Sequence, residues 1–266
     1  MKVIVPIKQV YDRGTIRVSR SRGILDTRDA KLMMNPGDRY ALEEALKLKD
    51  ELGARVVAIS MGPEEAEDIL REALAMHVDE AVLVTDDAFA DVDASAAAMI
   101  LGEAIKKLGD YDLILTGYRA AGDGTGEFGP RLSQYLGLPQ VLRATHLNVD
   151  GGSLTARRML SSGYAVVEAD LPVLAAVDMG ANKPRHPSLP GSIAAYDERS
   201  VTVWAAHDLG LTPDDIAESS CTEVRNSFAG PERERGRLIT SSPREAAREV
   251  LEELKSRGLT HRQTVG

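Results

Sequence analysis

Residues 113–131 read LILTGYRAAGDGTGEFGPR, and the order of signals in this stretch decides the fold. Leu113, Ile114 and Leu115 make the short apolar run expected of a parallel strand buried on both faces. Glycines follow at 117, 122, 124, 126 and 129, with Phe128 as the one bulky apolar side chain. Residues 130–136 then have helical spacing and stop at Gly137. A strand, a glycine-rich turn and a helix start, in that order, make an anion site. Amide N–H groups and the helix dipole favour phosphate there, and glycine lets the backbone come close. The competing reading is a surface loop that happens to contain glycines. The stretch lacks the Gly-Lys-Ser/Thr of a P-loop, and it is not a clean dinucleotide fingerprint.

Working outward, the same unit recurs. Residues 2–10 read as a central strand with Pro6 at its end or at a bulge, because proline cannot donate to a ladder. Residues 16–27 look like a small hairpin or an irregular excursion. The turn Asn35-Pro36-Gly37-Asp38 leads into an amphipathic helix over 40–52, closed by Gly53. Strands are predicted at 54–60, 80–86 and 111–116, and helices at 64–77 and 93–108. Strands alternating with helices at this spacing imply a doubly wound, mostly parallel α/β sheet, in which ligands sit at the carboxyl ends of the strands. Pro6, the Asn35 turn, Met61 and the 117–129 loop all lie at such ends. After Pro139 the rhythm changes: 142–149, 153–160 and 164–168 read as antiparallel strands, and 171–177 as an apolar strand returning to the sheet. Residues 182–191 hold three prolines in a polar run and read as a loop. A polar stretch, 212–240, shows no core of its own and ends at an amphipathic helix over 243–259. It is either an arm laid on another subunit or a flexible linker. The expected domains are therefore 1–205, an α/β nucleotide-binding domain, and 206–266, a C-terminal arm and helix.

Composition excludes several functions. The 266 residues carry a formal net charge of −9, the wrong sign for a general nucleic-acid binder. Trp204 is the only tryptophan, which argues against base-stacking platforms. Cys221 is the only cysteine, so an internal disulfide or a multi-cysteine metal site is ruled out. No run approaches the ~18 apolar residues of a membrane span, and no signal peptide is evident. A cytoplasmic soluble protein is expected.

Taken together, Lys8-Gln9-Val10, Met34-Asn35-Pro36, Met61-Gly62-Pro63, the 117–130 loop, Leu138-Pro139-Gln140, Asn182-Lys183-Pro184-Arg185 and Pro187-Ser188-Leu189-Pro190 resemble the β subunit of the electron-transfer flavoproteins. The match runs over nearly the whole chain. The resemblance implies a heterodimer with an α subunit that holds most of a redox FAD at the interface. The β subunit's own cleft would bind AMP, or a second FAD in electron-bifurcating members. Electrons would pass from flavin dehydrogenases to a quinone oxidoreductase or similar acceptor.

Carried over residue by residue, the nucleotide positions are Pro6, Asn35, Pro36, Gly37, Asp38 and Met61, then Ala120, Ala121, Gly122, Asp123, Gly124 and Thr125, and finally Gly126, Glu127, Phe128, Gly129, Pro130 and Arg131. Asn35 and Asp38 are expected to bond an adenine edge or ribose, and the amides around 125–129 to wrap a phosphate. Leu189 falls where the family has a leucine that docks partner dehydrogenases. There are departures. Ala120-Ala121-Gly122 stands where the family has Ala-Ile-Asp, so the acid is shifted to Asp123, and the bulk of Phe128 is expected to crowd a flavin.

No nucleophile–base constellation or metal spacing is evident, and the five histidines are scattered; His186, within the docking loop, is the one with a possible role. An electron carrier without hydrolytic chemistry of its own is expected, with the flavin supplying the redox step. An ATP-binding or ATP-hydrolysing protein of the adenine-nucleotide hydrolase or stress-protein type, built on a similar sheet, is the rival reading.

Overall fold

The computed structural model describes residues 1–19, 24–122, 124–223, 225 and 236–260. It comprises two compact units, Met1–Ser227 and Phe228–Gly266. The first begins with β1 (Lys2–Pro6), followed by β2 (Gln9–Tyr11), the small hairpin β3 (Arg17–Ser19) and β4 (Ile24–Asp26), and β5 (Leu32–Met34). Next come α1 (Pro36–Leu52), β6 (Arg55–Met61), α2 (Glu67–Ala75), β7 (Glu80–Val84), α3 (Ala94–Lys107), β8 (Leu113–Gly117) and α4 (Phe128–Leu136). The run β9 (Gln140–Asp150), β10 (Ser153–Leu160), β11 (Gly163–Asp170) and β12 (Val173–Val177) precedes α5 (Leu189–Asp197), β13 (Val201–Trp204) and α6 (Pro213–Ser219).

One nine-stranded sheet has the order β11-β10-β9-β12-β8-β1-β6-β7-β13. From β9 to β13 all pairings are parallel; β10 runs antiparallel between β9 and β11. This is the doubly wound α/β architecture read from the sequence. Side-chain alternation along each strand feeds two cores. Val3, Val56, Ala58, Leu113 and Leu115 pack on one face with Leu42 and Leu46 of α1 and Leu70 and Leu74 of α2. Ile4, Val57, Ile59 and Ile114 pack on the other with Ile100 and Ile105 of α3 and Leu132 of α4. Gly53 and Gly137, both left-handed, end α1 and α4 where those helices turn back into strands.

The chain leaves β1 for β6 and then β7 on one side, and returns through α3 to β8 on the other side of β1. That reversal makes a crevice. β1 pairs with β8 only at Val3↔Leu113 and Ile4↔Ile114, whereas its pairing with β6 continues to Pro6↔Ile59. The two central strands therefore part at their carboxyl ends. Pro6 lies where β1 has already left β8, so its missing N–H costs no ladder bond on that side.

The structure departs from the sequence reading in four places. The strand expected over 2–10 is two strands, with Gln9–Tyr11 pairing antiparallel with β5. Strand β9, read as purely antiparallel, also joins the main sheet parallel to β12. The loop expected over 182–191 ends in helix α5, whose first residue is Leu189; Ser188 caps it by accepting from Gly191 N at 3.0 Å. Finally, the stretch from 212 is not coreless throughout: Ile216 of α6 is buried in the cluster under α3. A single apolar residue in a polar heptad gives periodicity too little to register.

The second unit carries α7 (Pro243–Ser256), at whose start Ser242 N and Oγ both donate to the Glu245 carboxylate, at 3.2 and 2.6 Å; none of its residues is buried. No helix among the described residues is long and apolar enough to cross a membrane.

Candidate functional site

At the crevice, α1 begins directly beside the end of β8. A Cβ added to Gly37 would lie 2.9 Å from the Arg119 carbonyl oxygen, and one added to Gly117 would lie 2.3 Å from Asp38 Oδ1. Both positions admit only glycine, because backbone meets backbone there. Beneath α4, a Cβ on Gly129 would come within 3.2 Å of Thr116 Oγ1. Gly126, at φ +73°, adopts a conformation that favours glycine while passing close to the Tyr118 carbonyl.

The side chains of Asn35 and Asp38 are buried and engaged. Lys8 N donates to Asp38 Oδ2 at 2.7 Å, and Asn35 Nδ2 donates to Asp38 Oδ1 at 2.9 Å. The Gly117 amide also hydrogen-bonds this carboxylate. Asn35 Nδ2 further donates to Arg119 O at 3.1 Å, while its Oδ1 accepts from Ala121 N at 3.0 Å. Burial pushes the Asp38 carboxyl up to about 7, against the pull of those N–H donors and the Lys8 charge.

The other positions read from the sequence gather at the same edge of the sheet. Pro6 and Met61 end the neighbouring strands β1 and β6. Ala120, Ala121, Gly122, Gly124, Thr125 and Gly126 form the loop between β8 and α4, and Asp123 lies outside the described residues. Glu127 stands at the N-cap of α4 without capping it through its side chain, and pairs instead with Arg131 at 2.8 Å. Arg131 also donates to Ser95 Oγ at 2.7 Å, tying α4 to the start of α3. Phe128, the first residue of α4, is partly buried and packs against the α3 core cluster.

Two helices, α1 and α4, thus start at the crevice with no side-chain cap, so their dipoles point at it; in α1 the first residue, Pro36, has no N–H, and Asp38 N already donates to Asn35 O at 3.0 Å. Among the described residues, Thr116 Oγ1 is buried there without a hydrogen-bond partner. Glycine-lined backbone, uncapped helix starts and an unsatisfied hydroxyl fit a phosphorylated ligand.

Sequence reasoning missed a rim of cations. Arg13 donates to the Ala121 carbonyl from both Nε and Nη2. The Arg119 and Arg143 guanidinium groups lie 4.8 and 5.6 Å from the Tyr118 ring centroid. Arg143 reaches that position from a bulge, φ +56°, where β9 shifts register against β12. Strand alternation carries no signal for such a bulge.

Away from the crevice, the segment before α5 is stapled to α1. Asn182 Nδ2 donates to Tyr40 O and to Glu44 Oε1, and Arg185 pairs with buried Glu43 at 2.9 Å and with Asp50 at 2.8 Å. Leu189, Ile193 and Tyr196 lie along one face of α5 and are 76, 55 and 66 % exposed.

Comparison with known proteins gives a consistent result. The family model of the electron transfer flavoprotein domain matches residues 22–209. The chain is 36% identical over 258 residues to the electron transfer flavoprotein subunit beta of Thermoanaerobacterium thermosaccharolyticum, covering 97% of this chain and 99% of that one. It is 34% identical to the caffeyl-CoA reductase-Etf complex subunit CarD of Acetobacterium woodii, with 97% and 99% covered. It is 32% identical to the protein FixA of Azorhizobium caulinodans, with 97% and 95% covered.

Proposed function

The chain belongs to the electron transfer flavoprotein family, on its β-subunit and FixA side, and on that premise we propose that it is the β subunit of a heterodimeric electron carrier whose own crevice holds an adenine nucleotide. The single observation that carries the nucleotide is the pair of uncapped helix starts, α1 and α4, at the place where β1 and β8 part. AMP and the adenylate half of a second FAD present the same phosphate and base to such a crevice.

The companion α subunit holds most of a redox FAD, and that flavin, when bound, supplies the one-electron chemistry. This chain's residues bind and orient: the glycines at 37, 117 and 129 let α1, β8 and α4 close on one another around the crevice, and the arginines at 13 and 119, with Arg143 held on Asp178 at 3.1 Å, stand at its rim. The exposed face of α5 around Leu189 is the anchor for flavin dehydrogenases, with a quinone oxidoreductase or similar acceptor downstream. An apolar knob on a stapled segment loses little entropy on docking. The apolar residues of α7, among them Val250, Leu251 and Leu254, are exposed in this chain and form the face that covers the α subunit.

Co-expression with an α subunit, followed by mass spectrometry of an acid extract, tests the assignment. AMP in stoichiometric amount with this chain, or two FAD per heterodimer, is expected; a single FAD with no AMP refutes the nucleotide.

A further inference from the structure

Asp38 and Asn35 together span the split between the central strands. Ladder bonding between β1 and β8 stops at Ile4↔Ile114. Beyond that point the Asp38 carboxylate takes over, accepting from Lys8 N after β1 and from the Gly117 amide at the end of β8. Asn35 extends the bridge one step further, to Arg119 O and Ala121 N in the loop that follows β8, and its own N–H donates to Lys8 O at 2.8 Å.

Asn35 has no side-chain donor to spare. Both hydrogens of Asn35 Nδ2 are used, on Asp38 Oδ1 and Arg119 O, and Oδ1 is used on Ala121 N. Turning the amide over would set its NH2 against the Ala121 N–H and its oxygen against a carboxylate, so the network admits one orientation. Asn35 is 2% exposed and Asp38 6%.

We infer that Asn35 and Asp38 are positioning residues: they close the split in the sheet and set the shape of the 119–122 loop, and neither side chain bonds the ligand. That role rests on the nucleotide reading for its ligand but not for its geometry. Recognition of the base or ribose then falls to backbone groups and to other side chains of the crevice.

Amide hydrogen exchange on the full-length chain without nucleotide, together with calorimetric titration of AMP and of FAD, tests this. In the wild-type chain the Ala121 amide exchanges slowly before any ligand is added, since its partner is Asn35 and not a ligand. In Asn35→Ser, exchange across residues 119–122 rises by about tenfold or more while amides of β6 and β7 keep their rates, and AMP or FAD affinity falls by a similar factor. A merely stabilising residue would raise exchange throughout the sheet, and a direct ligand contact would lower affinity while leaving the loop's exchange unchanged; either result overturns the inference. Rapid exchange at Ala121 in the wild type overturns it as well, and does so even if Asn35→Ser does not fold. Should the loop respond to Asn35→Ser while the wild-type chain binds neither AMP nor FAD, positioning stands and the nucleotide assignment fails.

Discussion

Gly117 and Asp38 fit each other with no room to spare: a methyl group on Gly117 would sit 2.3 Å from the Asp38 Oδ1 and 2.6 Å from the Gly37 carbonyl carbon. Substitution Gly117→Ala therefore forces either the end of β8 or the first turn of α1 to move. Overpacking of this kind costs about 1–3 kcal/mol. Urea unfolding should show that loss, with nucleotide retention reduced alongside it, whereas Gly122→Ala, which meets no protein atom within 4 Å, should leave the unfolding midpoint near wild type.

The elevated Asp38 carboxyl makes a signed prediction about pH. Its folded value, about 7, lies above the ordinary 3.8, so the folded chain binds this proton more tightly than the unfolded chain does. The group's contribution to stability is full below the ordinary value and is lost as pH rises toward 7. Unfolding measured between pH 4 and 7 should show this falling component in the wild type and lack it in Asp38→Asn; an unchanged slope in the variant would assign the dependence to another group.

Asp93 behaves in the opposite sense. Burial raises its carboxyl, but amide donors from Ala96, Cys221 and Ser95, with the Thr222 hydroxyl, outweigh burial and bring it to about 2. It caps α3 and anchors the segment after α6. Asp93→Ala should cost about 1–2 kcal/mol near neutral pH and progressively less as pH falls through 3.8 toward 2, and chemical modification of exposed Cys221 should become faster in the variant.

Ile216 tests where the first compact unit ends. Truncating a buried isoleucine typically costs about 2–5 kcal/mol, so Ile216→Ala should lower the unfolding midpoint clearly. Leu238→Ala, in the second unit and 84% exposed, should not.

The staple at Arg185 links α1 to the proposed docking helix. Arg185→Ala leaves buried Glu43 without its cation, a loss of about 1–3 kcal/mol, and should raise hydrogen exchange over residues 182–190. Reduction by a dehydrogenase should slow in this variant and in Leu189→Ala, with flavin content unchanged. Flavin loss in Leu189→Ala would refute the docking assignment.

The layered fold was open to reading because its signals are local. Leu113 to Leu115 announce a strand buried on both sides, Gly53 and Gly137 announce helix ends, and the glycines of 117–129 announce a turn at a strand's carboxyl end. Helix α5 and strand β13 gave weaker signals. Pro187 and Pro190 mask the start of α5, and β13 is a short edge strand with one exposed side.

What the sequence determined alone was periodicity and chain conformation: which segments must be buried on two faces, where the backbone must turn, and that the crevice would collect Asn35, Asp38 and the glycine loop. Whether those two polar side chains face a ligand or the protein was decided only in three dimensions. That choice depends on how far β1 stays paired with β8 before the strands part, and on Gly117, 79 residues beyond Asp38 in the chain, arriving close enough to share its carboxylate. A hydrogen bond needs its partner within about 3 Å, and no local pattern can carry a distance between segments so far apart along the chain.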